Sequence, residues 1–125
     1  MKRIALAAII LLAGCATDAG NAVHSGTLTL SLVGGGTSDG ALVIVVSGGA
    51  VTSVGAPASY QVASNADGEG THIMVVGNLV AGPIATIVVP DLTRASAYVV
   101  TVMQAADRSS FALLDAARYH VTIAP

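Results

Sequence analysis

From Thr27 to Leu32 the chain alternates polar and apolar residues without a break, as Thr27-Leu28-Thr29-Leu30-Ser31-Leu32. Strict alternation predicts a strand with one face buried and one face wet. Gly34-Gly35-Gly36 and Ser38-Asp39-Gly40 interrupt it. Ala41 to Val46 is then a continuous apolar run rich in β-branched residues, the pattern of a strand covered on both faces. Shorter segments follow at 50–54 and 59–63, divided by Gly55 and Pro57, and after them His72–Val76, Ile84–Val89, Tyr98–Ala105 and Tyr119–Ile123. About eight or nine strands at spacings of roughly 8–15 residues predict an all-β fold, an antiparallel two-sheet β-sandwich. Helical spacing occurs only over Ser109–Ala117, through Phe111, Leu114 and Arg118, so at most one short helix or turn is expected there.

The stretches Gly40–Ala66 and Thr71–Pro90 carry no formal charge, which raises a membrane-spanning reading. Glycine, proline or asparagine breaks each of them every few residues, and the apolar positions are rich in valine. Backbone groups left unpaired at such breaks are costly in lipid, so these stretches are assigned to the core of a soluble sandwich.

The N-terminal pattern is different. Lys2-Arg3 precedes an apolar run from Ile4 to Leu12 that leads into Ala13, Gly14 and Cys15. A basic start, a short apolar segment and small residues at its exit describe an export signal. The run is shorter than the ~20 apolar residues a spanning helix needs. Leu12-Ala13-Gly14-Cys15 resembles the lipobox of bacterial lipoproteins. That resemblance implies thioether attachment of diacylglycerol to Cys15, cleavage before it, and N-acylation, commonly with palmitate, of the new amino group. The thiolate is the nucleophile that takes the lipid. Each buried CH₂ contributes about 0.8 kcal/mol, so two or three chains hold a protein on a membrane without a spanning segment. Ala16 follows the cysteine, not aspartate, and by resemblance to proteobacterial sorting this places the protein in the cell envelope at the outer membrane. The expected organisation is a signal peptide, helical, over residues 1–14, a lipidated cysteine and flexible tether over 15–25, and one domain over 26–125.

Removing the signal takes away Lys2 and Arg3, leaving Arg94, Arg108 and Arg118 against all seven acids, a formal charge of −4 with no lysine. Such a chain has no cationic footprint for nucleic acid. Nor has it the basic residues that draw a protein to anionic headgroups, so membrane contact falls to the lipid. Cys15 is the only cysteine, so no disulfide forms within the chain, and the 111 residues left of 125 must be stabilised by their own core.

Asp39-Gly40-Ala41-Leu42-Val43-Ile44-Val45-Val46-Ser47, followed by Ala50-Val51-Thr52-Ser53-Val54, resembles the early strands of cohesin-like domains. Gly82-Pro83-Ile84-Ala85-Thr86-Ile87-Val88-Val89-Pro90, then Tyr98-Val99-Val100-Thr101-Val102, is similar to a later pair in the same domains. The resemblance implies a nine-strand jelly roll, shared with some carbohydrate-binding modules, whose business is holding partners together. It transfers no binding residue, and fold alone does not license function.

Candidate chemistry is sparse. Asn65, Asp67 and Glu69 place three oxygen side chains at alternate positions before Gly70, like the first half of a calcium loop, although Val76 stands where an EF-hand has its bidentate glutamate. A polar hairpin tip accounts for the same residues. His24, His72 and His120 lie 48 residues apart, with no local pair to clamp a metal. Asp107-Arg108 and Asp115 with Arg118 are read as surface ion pairs worth at most about 1 kcal/mol. Serines and three histidines are available for nucleophilic chemistry, but no Gly-x-Ser-x-Gly nucleophile elbow is expected, and no spacing indicates two carboxylates facing across a cleft. With no tryptophan, one phenylalanine and Tyr60, Tyr98 and Tyr119, the chain lacks an obvious sugar-stacking platform. The residues thus favour a membrane-anchored, non-enzymatic module that binds or scaffolds another protein and needs no cofactor beyond its lipid. A small-ligand or carbohydrate binder, or a small hydrolase on the same fold, is the alternative.

Overall fold

The computed structural model describes residues 23–34, 39–57 and 59–125. The signal segment, the lipobox Leu12-Ala13-Gly14-Cys15 and most of the tether lie outside these residues. Nine strands form: β1 (Gly26–Gly34), β2 (Asp39–Ser47), β3 (Ser53–Gly55), β4 (Gln61–Asp67), β5 (Gly70–Val76), β6 (Gly82–Val89), β7 (Val99–Asp107), β8 (Leu113–Leu114) and β9 (Tyr119–Ala124). They build a narrow sheet of order β3-β6-β1-β9 and a wide sheet of order β4-β5-β2-β7-β8. Every ladder is antiparallel, so the architecture is the two-sheet β-sandwich that the alternation predicts. Within the described residues, only β4–β5 and β7–β8 are sequential neighbours in one sheet. Elsewhere the chain passes from one sheet to the other.

The core is the space between the sheets. Leu28, Leu30 and Leu32 of β1, the apolar half of the first alternation, face Leu42, Ile44 and Val46 of β2 and Ile73 and Val75 of β5 within one buried cluster. From β6 come Ile84, Ala85, Ile87 and Val89. The consecutive burial of Ile84 and Ala85 follows from a bulge: Leu30 pairs with Ala85 and Ser31 with Pro83, leaving Ile84 as the extra residue. Pro83, which has no N–H to donate, sits beside that bulge and beyond the reach of β3. At the end of β2, Gly48 has φ +98, and a Cβ there would collide with the Ala97 carbonyl oxygen. Only glycine lets the chain turn so close to the neighbouring segment.

The short helix or turn expected over Ser109–Ala117 is a turn: the segment holds a turn, the two residues of β8, and a 3₁₀ turn at Ala116–Arg118. The Asp115 carboxylate accepts from Ala117 N–H (3.0 Å), and Asp107 likewise gathers the donors of Ser109 and Ser110, so short acidic side chains win the local backbone groups from a helix. A second 3₁₀ segment, Leu92–Ala97, is capped by Asp91, whose Oδ1 accepts from Thr93 N–H and Oγ1–H. No α-helix occurs among the described residues. Lastly, β2 is not covered on both faces: its inner side is sealed, whereas Ala41 and Val43 on the outer side are only half-buried.

Inner and outer positions of the wide sheet should therefore respond differently to truncation. Ile44→Ala is expected to cost about 2–5 kcal/mol, and Met74→Ala about 1 kcal/mol or less, in urea unfolding monitored by circular dichroism.

Candidate functional site

The residues pointing away from the core on the wide sheet fall into three rows set by the ladder register, with a fourth at the hairpin end in which Asp67 pairs with Gly70 and Ser47 with Val99. One row is Ala63, Met74, Val43 and Gln104; the next is Asn65, His72, Val45 and Thr101; the third is Gln61, Val76, Ala41 and Ala106. None of the twelve in the first three rows is Asp, Glu, Lys or Arg, and the fourth row carries Asp67. The solvent side of an antiparallel sheet is ordinarily polar. Here Met74 keeps 46% of its surface exposed, Val76, Val99 and Met103 are exposed too, and Val45 is buried at 7% although it lies outside the core cluster. Val45 is thus covered by its own neighbours on the outer face.

Two hollows mark this face. One, of about 190 Å³, is lined by Val43, Ala63, Ser64, Asn65, His72 and Met74. The other, of about 320 Å³, has Ala41, Val76, Ala106 and Phe111 as its apolar lining, with Asn78 and Arg108 also bordering it. Arg108 donates to Asn78 Oδ1 across that hollow. Phe111 is the one non-glycine residue with positive φ (57°) among the described residues, and 81% of it is exposed. Its conformation is fixed from both sides. Phe111 N–H donates to Asp107 C=O (3.1 Å), Asp107 N–H donates to Ala112 C=O (2.9 Å), and Asp107 Oδ1 accepts from the N–H and Oγ–H groups of both Ser109 and Ser110. Strained backbone persists only where its surroundings over-determine it.

At the far corner of the same sheet lies the predicted hairpin tip. Asp67 and Gly70 pair across a two-residue turn, and Asp67 Oδ1 accepts from Glu69 N–H (2.8 Å). That hydrogen bond is the main reason the Asp67 carboxyl sits below its ordinary pKa; partial desolvation opposes it, and the His72 charge and Gly70 N–H act in the same direction as Glu69. His72 Nε2 approaches Asp67 Oδ2 at 2.8 Å and Glu69 Oε2 at 3.9 Å, an ion pair only when the imidazole is protonated. His72 Nε2 is itself shielded from water. Asp67, Glu69 and His72 thus bring one nitrogen and two carboxylates within 4.8 Å of one another. Such a donor set suits a borderline transition ion better than calcium, which takes six to eight oxygens. Asn65, the other member of the calcium pattern, lies opposite His72 in the ladder.

The remaining sequence candidates are placed apart. His24 and His120 are exposed, on the entry to β1 and on β9. Tyr98 is buried and donates to Ala50 C=O (2.6 Å), Tyr119 is buried in the core, and the half-buried Tyr60 accepts from Val80 N–H (3.3 Å). All three tyrosines serve packing. Contrary to the expectation of no such motif, Gly36-Thr37-Ser38-Asp39-Gly40 has the Gly-x-Ser-x-Gly spacing of a nucleophile elbow. It joins β1 of one sheet to β2 of the other, where the elbow requires a strand-to-helix turn, and Ser38 lies outside the described residues. The outer face was also missed as a unit. Its signal was the second parity of β2, Ala41-x-Val43-x-Val45, read together with its partners on β5.

Comparison of the chain with protein families, curated proteins and solved structures found no match. Among the described residues no helix is long and apolar enough to cross a membrane.

The hairpin tip yields a pH prediction. Because folding lowers the Asp67 pKa, its stabilising contribution is complete above the unfolded-state value and fades as pH falls through the folded-state value. In a carboxyl-detected NMR titration Asp67 should titrate below the ordinary aspartate range, and the acid-induced loss of thermal stability should be smaller in Asp67→Asn.

Proposed function

We propose that this chain is a membrane-anchored envelope lipoprotein whose β-sandwich is a non-enzymatic binding module, with the outer face of the wide sheet as its binding surface. The observation that carries the reading is that Met74, Val76 and Val99 stay exposed on this face, on a scaffold that does not need them for its core. Contiguous exposed apolar surface on a folded domain marks an interaction site. Phe111 adds a rigid aromatic anchor at one corner, and aromatic residues and methionine are the side chains enriched where proteins meet. The lipobox supplies the anchor, with the lipid on Cys15 and residues 16–25 as the tether. The cohesin-like strand patterns fit the same role, because they belong to domains that hold partners together.

Two experiments separate anchor from surface. Cys15→Ala in the native host should move the protein from the membrane pellet to the soluble fraction and abolish incorporation of labelled palmitate; unchanged sedimentation and labelling would remove the lipoprotein reading. For the surface, Met74→Glu should reduce partner capture in affinity purification from crosslinked envelopes at least about tenfold while membrane attachment stays intact. Equal capture by the variant would place the binding surface elsewhere.

A further inference from the structure

We propose that the hollow between Val76 and Phe111 is a binding site for a small apolar carboxylate, whose body lies against the hollow's walls and whose charged group is held by Arg108. This goes beyond the reading of the sheet face as a protein contact, because it assigns a small molecule to one corner of it.

The hollow exists because small residues meet there. Gly40, Ala41, Gly77 and Ala106 line it, and Gly77 N–H donates to Gly40 C=O (3.0 Å), so two backbones close together with no side chain to fill the space beside them. Val76 and Phe111 supply the larger walls, and the exposed lining is almost wholly carbon. At about 320 Å³ the hollow lies at the low end of the range for ligand sites, which are apolar clefts with a few placed polar groups. The backbone bonds between Asp107, Phe111 and Ala112 fix the loop that carries the Phe111 ring, so this wall is in place before a ligand arrives and costs little further ordering.

Arg108 selects the polar end of the ligand. Its Nη1 donates to Asn78 Oδ1 across the hollow, so a neutral amide holds the guanidinium at the rim. No ion pair engages Arg108 among the described residues. Asp107, the one described acid lining the hollow, gives its Oδ1 to four donors from Ser109 and Ser110. A guanidinium carries its N–H donors in a planar fork that matches a carboxylate, and Asn78 occupies only part of that fork. Arg108 is also the only cation among the described lining residues, which suits a singly charged group over a phosphate dianion. The volume limits the ligand to a body on the order of ten non-hydrogen atoms.

The test titrates the full chain carrying Cys15→Ala with 3-phenylpropionate and with its neutral isostere 3-phenylpropionamide, followed by amide NMR. Saturable shifts are expected at the amides of Ala41, Gly77, Ala106 and Phe111, with a dissociation constant of about 0.1–1 mM for the carboxylate, in keeping with so small a ligand. The amide probe should bind about tenfold more weakly. Arg108→Gln keeps a donor for Asn78 and removes the charge, so it should bring the carboxylate to the level of the amide and leave the amide unchanged. Phe111→Asn, a residue that tolerates positive φ, should weaken both probes alike, by about threefold or more. Val33→Glu, exposed on β1 of the other sheet, should alter neither. Circular dichroism checks that each variant is folded, and either hollow variant serves if the other is not. No saturable shift up to about 10 mM, or shifts confined to other amides, overturns the site. Equal affinity for the two probes, or a carboxylate affinity indifferent to Arg108→Gln, overturns the ligand class and with it the proposal.

Discussion

Everything in this molecule depends on the interlock of two rows of branched aliphatic side chains across the inter-sheet gap. Leu28, Leu30 and Leu32 enter from the narrow sheet, and Leu42, Ile44, Val46, Ile73 and Val75 meet them from the wide one. No disulfide braces the domain, because the chain has a single cysteine near its N-terminus. Burying a Leu, Ile or Val side chain contributes about 1.5–3 kcal/mol, and this term has to offset the chain entropy of ordering the strands. The register is consequently strict. A slip of one residue in β1 would turn all three leucines to solvent and bring Thr27, Thr29 and Ser31 into the core.

That rigid interior allows the periphery to hold less favourable geometry. Asp107 is the clearest case: its backbone bonds to Phe111 and Ala112, and its carboxylate to Ser109 and Ser110, close a loop in which Phe111 adopts positive φ and faces water. Gly40 supports the arrangement from below, since a Cβ there would run into the Arg108 backbone at 2.5 Å. At the opposite corner Asp67 plays a comparable part for the β4–β5 turn, and Asp91 and Asp115 cap the two 3₁₀ segments. Four of the acids are therefore committed to local backbone donors.

The sandwich was legible because the signal that specifies it is short-range. Period-two alternation in β1 and turn residues between runs reveal strands without any knowledge of their partners, and all eight predicted strands exist with boundaries shifted by a few residues. Sheet order was not legible: nothing local says that β1 lies between β6 and β9. The short helix or turn expected at Ser109–Ala117 resolves as turns: apolar spacing at Phe111 and Leu114 imitates a helical stripe, whereas the backbone donors there go to Asp107 and Asp115. The hairpin tip was half legible. Alternate oxygens at 65, 67 and 69 marked the turn, but the approach of His72 to Asp67 depends on the ladder register folding β5 back along β4.

The same limit explains how the apolar outer face stayed hidden in the run Ala41–Val46. A run without alternation is what a strand buried on both faces and a strand with one buried and one sticky face have in common. What distinguishes them is the number of layers, and this domain has two. Stability does not call for the second parity. Ala41 and Val43 could be threonine or lysine without touching Leu42, Ile44 or Val46, and polar residues there would make the monomer more soluble. Met74 and Val76 extend the same choice onto β5, and Ala63 extends it onto β4. Apolar side chains that folding leaves free to be polar, on three neighbouring strands, are the feature on which the proposed binding surface rests.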